Sequence, residues 1–369
     1  MTRTVALAVL LCGACSNLSG GSSGVPQFRV DPAWPKPLPE EAGVQLVVGQ
    51  VAGIAVDERN GHVWITHRPS TLLPDEVDKA GKPVTHRCCK ALPAVAEFDA
   101  QGNYVRGWGG PGAGYDWPKS EHGIMIDPEG NVWVGGNGNE DNQILKFTPD
   151  GKFLMQIGRA GKSEGSNSRT QLGRPAHMLL DPQASELYVA DGYGNRRVVV
   201  FDAKTGAYKR HWGAYGGEPS DAPLPAYDPQ APLSKQFGNP VHCVRIANDR
   251  KVYVCDRANS RIQVFDTAGK FLEEFRVEPE TRANGSTWDM VLSQDAAQKF
   301  MYVADGANGR IYILQRADGK RVGEFGRTGH MAGEFKWVHN MAIDRQGNLY
   351  ASEVGFGRRI QKFSLAAPF

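Results

Sequence analysis

The chain has 369 residues, with 42 Lys and Arg against 40 Asp and Glu, a net charge of +2. A balance so near zero supplies no bulk attraction to nucleic acid or to anionic lipid. Hydrophobic residues at 41% exclude wholesale disorder, and 44 Gly with 23 Pro suit short strands and turns better than helices.

Residues 1–15 read as a secretory signal: Arg3, the apolar run Val5 to Leu11, then small residues. Cys15 after Cys12-Gly13-Ala14 resembles a bacterial lipoprotein cleavage site, although Leu11 sits four rather than three positions before it. Two fates stay open: a secreted or periplasmic protein, and an outer-surface lipoprotein held by an N-terminal lipid. Residues 16–26 open with SNLSGGSSG and read as a flexible tether. Beyond the signal no apolar run approaches the roughly 18 residues of a membrane span. Residues 27–369 are expected to form one domain, acting as a monomer.

From there one pattern recurs six times. A short apolar strand ends near an Asp or a turn. A second reads like VWV or LYV, a third ends in Phe, and a fourth ends near Gly. The copies begin at Gly53-Ile54-Ala55-Val56-Asp57, Gly123-Ile124-Met125-Ile126-Asp127, Met178-Leu179-Leu180-Asp181, Cys243-Val244-Arg245-Ile246, Met290-Val291-Leu292 and Met341-Ala342-Ile343-Asp344. Four short strands per repeat of about 45–65 residues predict an all-β, six-bladed β-propeller of NHL type. The sixth copy stops after its third strand, at Phe363. Phe28-Arg29-Val30 is the natural donor of the missing fourth strand and would close the ring. The pairs Arg196-Arg197 and Arg358-Arg359 fall at blade turns and read as surface charge, not as nucleic-acid contacts.

The first strand of each propeller blade lines the central channel. Aligned at its start, the copies carry Ala52, His122, His177, His242, Asp289 and His339. Four are histidines, in a chain with nine. A single channel histidine usually just binds water; four at one repeat position point to a site. His122, His242 and His339 fall on alternate blades and should converge on the axis. Three imidazoles meeting at a point make a catalytic type of zinc (Zn2+) site with one coordination position open. His177 is an extra candidate at the same level.

Four Cys lie outside the signal. Cys243 and Cys255 are symmetric about the Asn248-Asp249-Arg250 turn and should face each other across a hairpin, as a disulfide or as two small buried thiols. The adjacent Cys88-Cys89 fit a vicinal disulfide, a metal site or free thiols.

Several segments together resemble the peptidyl-α-hydroxyglycine α-amidating lyase family. They are Gly49-Gln50-Val51-Ala52-Gly53-Ile54 leading to His67-Arg68, Glu121-His122-Gly123-Ile124, Asp191-Gly192-Tyr193-Gly194-Asn195-Arg196-Arg197, and Pro240-Val241-His242. Cys255-Asp256-Arg257-Ala258-Asn259-Ser260-Arg261 and His339 complete the set. The resemblance runs from about Val44 to Phe363. It implies a lyase that cleaves a carbinolamide N–C bond, giving an amide and glyoxylate. It implies zinc on His122, His242 and His339, with Arg68 and Tyr193 as catalytic residues. Free Tyr has a pKa of about 10, so a Tyr base needs positive charge nearby. It further implies an axial calcium (Ca2+) on the carbonyls of Ile54 and Ile124 and on position 340, which is Asn340 here where the family has Asp. Position 194 is Gly where the family has Cys. No hydroxylating domain accompanies the propeller, so another protein would make the small-molecule or peptide substrate. Two other readings compete: a non-catalytic secreted propeller that binds protein or glycan, and a metal-dependent hydrolase.

Overall fold

The computed structural model describes residues 24–77 and 88–367. The signal, most of the tether and part of the loop after Pro69 lie outside the described residues. Six four-stranded antiparallel sheets are arranged as the blades of a β-propeller. Blade 1 consists of Gln50–Asp57, His62–Arg68, Val95–Phe98 and Tyr104–Trp108. Blade 2 is Glu121–Ile126, Val132–Gly136, Gln143–Phe147 and Phe153–Gly158. Blade 3 is His177–Asp181, Glu186–Asp191, Arg197–Asp202 and Tyr208–Trp212. Blade 4 is Val241–Ile246, Val252–Asp256, Arg261–Phe265 and Phe271–Arg276. Blade 5 is Asp289–Leu292, Phe300–Asp305, Arg310–Gln315 and Arg321–Phe325.

Blade 6 takes Val338–Ile343, Leu349–Glu353 and Ile360–Ala367 from the end of the chain and Gln27–Asp31 from its beginning. The closing pairs are Phe28 with Leu365, Arg29 with Ser364 and Val30 with Phe363. The expected ring closure therefore holds. A small seventh sheet, Glu40–Glu41, Val44–Val47 and Cys89–Ala91, sits outside the blades.

Each blade buries one large aromatic on its second strand: Trp64, Trp133, Tyr188, Tyr253, Tyr302 and Tyr350, all at most 1% exposed. The alternation of side chains along a strand puts these rings on the faces where blades meet. Burying each such ring is worth about 4–6 kcal/mol. The apolar core is accordingly a set of blade-to-blade clusters, such as Tyr188, Val198 and Trp212 of blade 3 against Val244, Val254 and Phe265 of blade 4.

The repeated motif of Asp, then Asn three or four residues on, then Arg two further, is structural. Asp191 accepts from the Gly173 N–H, Asn195 and Arg197, and Asp256 does the same with Gly238, Asn259 and Arg261. This corrects the surface reading of Arg197. Its guanidinium is fully buried, because it neutralises a carboxylate that ties two strands to the preceding loop. Cys243 faces Cys255 across the blade 4 hairpin, and the two are joined in a disulfide. Cys88 and Cys89 form a vicinal disulfide.

A candidate metal centre on the channel axis

The inner strands of blades 2, 4 and 6 each break register near their first residues. In blade 4, Val241 pairs with Asp256 and Cys243 with Cys255, leaving His242 as the extra residue of a bulge. The same shift occurs beside His122, between the pairs of Glu121 and Ile124, and beside His339, between those of Val338 and Met341. A bulge re-aims one side chain that a regular ladder would hold against its neighbours. Here it turns three imidazoles toward the axis. Their ring centroids lie 4.7, 4.9 and 5.2 Å apart, and one nitrogen from each falls within 4.8 Å of the others.

The odd blades supply the orienting partners. His122 donates Nδ1–H to the Ala176 carbonyl of blade 3 at 2.7 Å. His339 donates to Ala52 of blade 1 at 2.7 Å, and His242 donates to the Trp288 carbonyl of blade 5. A carbonyl can only accept, so each Nδ1 carries the proton and each Nε2 presents a lone pair. Burial lowers the pKa of all three rings. Nearby charge adds to this: Arg68 and Arg257 bring His339 to about 3, His339 with Arg68 and Arg257 holds His122 well below the usual value, and Arg257 with the other two rings does the same for His242. Three buried neutral donors with fixed tautomers fit a metal ion that prefers nitrogen ligands, zinc foremost.

Tyr193 follows the second strand of blade 3. Its N–H donates to the Arg174 carbonyl. Its hydroxyl lies 3.0 Å from His122 Nε2 and 3.1 Å from His242 Nε2. One hydroxyl proton cannot satisfy two acceptor nitrogens at once, which leaves lone pairs that a cation would use. Arg68 is bonded to neutral acceptors: the Glu121 carbonyl at 2.8 Å, Gln50 Oε1 and Asn137 Oδ1. Burial pulls its pKa down, with Tyr193 and Glu121 opposing. The expected residues Arg68, Tyr193, His122, His242 and His339 thus meet in one place.

The motif reading did not single out Arg257. Its Nη1 lies 3.4 Å from the Tyr193 hydroxyl, its guanidinium stacks 4.0 Å from the Trp288 ring, and its buried Nε has no partner. Among the described residues neither Arg257 nor Arg68 has a carboxylate partner. A buried, unpaired guanidinium is costly unless a ligand anion compensates it. Buried Arg257 and half-buried Arg68 beside three imidazoles make surroundings suited to an anionic group. The signal in the sequence was the position of Arg257, just after a buried second-strand Asp that is already satisfied by Arg261.

His177 is a correction. It pairs with Ala190, the residue before Asp191, just as Cys243 pairs with Cys255 before Asp256. It therefore matches Cys243, not His242. Asp289, paired with Ala304, is displaced likewise. The true counterparts of the three histidines in the odd blades are Ala52, Ala176 and Trp288, the very residues whose carbonyls accept from them. His177 instead lines the far half of the channel, a cavity of about 410 Å³ shared with Ile54, Ile124 and Arg245. The Val244 N–H points to its Nδ1 at 3.5 Å.

The calcium expectation meets a misfit in that same region. Calcium requires six to eight oxygens. Asn340 offers one free neutral oxygen, Oδ1, while its amide nitrogen donates to Asp289. Asp289 and the Met290 and Met341 carbonyls are held by the guanidinium of Arg245. Around Asn340 the carboxylate is already paired and a guanidinium stands among the oxygens, an arrangement that does not fit a divalent cation.

A profile of the NHL repeat family matches residues 241–265, within blade 4. The chain is 24% identical over 357 residues to NHL repeat-containing protein 3 of Mus musculus, covering 92% of this chain and 84% of that one. It is 24% identical over 393 residues to peptidyl-alpha-hydroxyglycine alpha-amidating lyase 1 of Drosophila melanogaster, covering 95% and 67%. It is 26% identical over 262 residues to peptidyl-glycine alpha-amidating monooxygenase of Mus musculus, where the match takes in 68% of this chain but only 23% of that protein. Among solved structures, a catalytically inactive virginiamycin B lyase from Staphylococcus aureus superposes with a TM-score of 0.51 at 14% identity, over 92% of this chain and 89% of that one. That likeness supports the fold. The chain is thus a β-propeller with an NHL repeat in blade 4 and a distant similarity to amidating lyases.

Proposed function

We propose that the protein is a zinc-dependent lyase that cleaves the C–N bond of a peptidyl α-hydroxyglycine, releasing a peptide amide and glyoxylate. The observation that carries this reading is the position of the Tyr193 hydroxyl, within 3.1 Å of two inward-facing histidine nitrogens and beside the buried guanidinium of Arg257, which has no carboxylate partner among the described residues. His122, His242 and His339 would hold the metal. When bound, zinc supplies Lewis-acid polarisation of a substrate oxygen. Arg68 and Arg257 hold the substrate carboxylate and orient the carbinol carbon. Tyr193 moves the proton. The carbinol O–H gives up its proton, its electron pair becomes the new C=O of glyoxylate, the C–N pair stays on nitrogen, and nitrogen takes a proton to become the amide. Buried surroundings keep water from competing.

The signal-like N-terminus and the two disulfides support action outside the cytoplasm, as a secreted, periplasmic or lipid-anchored protein.

The experiment is glyoxylate release from an α-hydroxyglycine-terminated peptide by zinc-loaded protein, with His242→Ala alongside. Turnover above the spontaneous rate, lost together with bound zinc in the variant, is the expected result. Zinc bound without turnover would retire the lyase reading.

A further inference from the structure

The far half of the channel contains an ion pair, between half-buried Arg245 and fully buried Asp289, that no part of the proposed reaction uses. Arg245 lies on the inner strand of blade 4, and its guanidinium crosses two blade boundaries. Nε donates to the Met290 carbonyl of blade 5 at 2.8 Å, and Nη2 donates to both oxygens of Asp289 at 3.0 and 2.8 Å. Nη2 also reaches the Met341 carbonyl of blade 6 at 3.0 Å. Asp289, fully buried, extends the link: it accepts the Met341 N–H at 2.9 Å and the Asn340 amide at 3.1 Å. Three inner strands are thereby tied at one level of the axis.

Those strands also carry the metal centre. Asn340 and Met341 directly follow His339, and Asp289 directly follows Trp288, whose carbonyl orients His242. The ion pair therefore fixes the spacing of the His242 and His339 strands from below.

We propose that Arg245 is the channel's own cation: its guanidinium, clasped by Asp289 and two carbonyls, does without calcium the work of joining blades 4, 5 and 6 under the histidine cluster. The inference does not depend on the reaction assigned to that cluster. A planar fork with several donors suits this task, since it can serve one carboxylate and two carbonyls in fixed directions.

The test uses zinc-loaded protein and reads thermal unfolding, calorimetric calcium titration and zinc affinity against a competing chelator dye. Millimolar calcium should give no binding heat and leave Tm unchanged in the wild type. Arg245→Met should lower Tm by about 4–7 °C, because it strands a buried carboxylate, and should weaken zinc about 10-fold through the loosened His242 and His339 strands. Should that variant fail to fold, Arg245→Lys keeps the charge but not the fork, and should show the same losses in smaller measure. Saturable calcium binding by the wild type, or a variant as stable and as tight for zinc as the wild type, would overturn the proposal.

Discussion

The hydroxyl of Tyr193 stands 3.0 Å from Nε2 of His122, the face of the imidazole turned away from its Ala176 anchor. A residue so placed touches whatever the histidines bind without being needed to hold them. Tyr193→Phe should therefore keep one zinc per chain and lose about 10²–10⁴ in kcat. Metal content and glyoxylate release, measured on the same preparation, check this. Loss of zinc would make Tyr193 a ligand instead.

Arg257 and Arg261 invite opposite outcomes from one substitution. Arg261 is paired with the buried Asp256, so Arg261→Met should cost about 3–5 kcal/mol of stability. Arg257 is buried beside Trp288 with no carboxylate partner among the described residues. Arg257→Met should leave Tm unchanged or raised while kcat/KM falls about 100-fold, the loss of one charge-assisted contact to substrate. Denaturation curves and kinetics on both variants decide; a large stability loss at Arg257 would make it structural.

Acid should destabilise the metal-free protein. Burial, opposed by hydrogen bonds to the Leu92 and Pro93 carbonyls, brings His67 to about 4. Burial and the charge of Arg245 bring His177 to about 3. Each stays neutral when folded but gains a proton near pH 6.5 when unfolded. Their contribution is complete above pH 6.5 and is lost as pH falls toward 4 and 3. At pH 5 this is about 2 kcal/mol per histidine. Urea unfolding at pH 7.5 and pH 5 should show the decline. Equal stability at both would mean these rings are accessible.

The Cys243–Cys255 bond closes a hairpin with a sequence separation of 12. Replacing both by Ala should cost about 3 kcal/mol by the loop-entropy account. Reductant should lower the Tm of the wild type but not that of the double variant.

The repeat was legible because each blade restates it. The buried aromatics from Trp64 to Tyr350 mark the second strands, and the early end at Phe363 called for Phe28 to Val30. The histidines were legible as types on one strand. Their level was not. A one-residue bulge separates His242 from Cys243, and no side-chain pattern announces a bulge. So His177 and Asp289 read as members of a ring that they sit below. Arg245 was invisible for another reason. Its partners Asp289 and Met341 are 44 and 96 residues away, and only the closed ring brings them within reach. Arg257 sits in a motif whose other members, Asp256, Asn259 and Arg261, serve the fold, and its different surroundings leave no mark on the sequence.

Both ends of the described chain lie in blade 6, where Gln27 pairs with Ala367. The seam of the ring is thus the place where it unzips. Deleting residues 27–31 would uncover the edge of Ile360–Ala367 and invite pairing with another chain. Conversely, a short linker joining the two ends, with new termini opened in the Asn248–Arg250 turn, would give a circular permutant that keeps every strand pair of the propeller. In such a permutant blade 4, which carries His242, becomes the seam, and the metal centre would then stand where the ring is closed only by strand pairing.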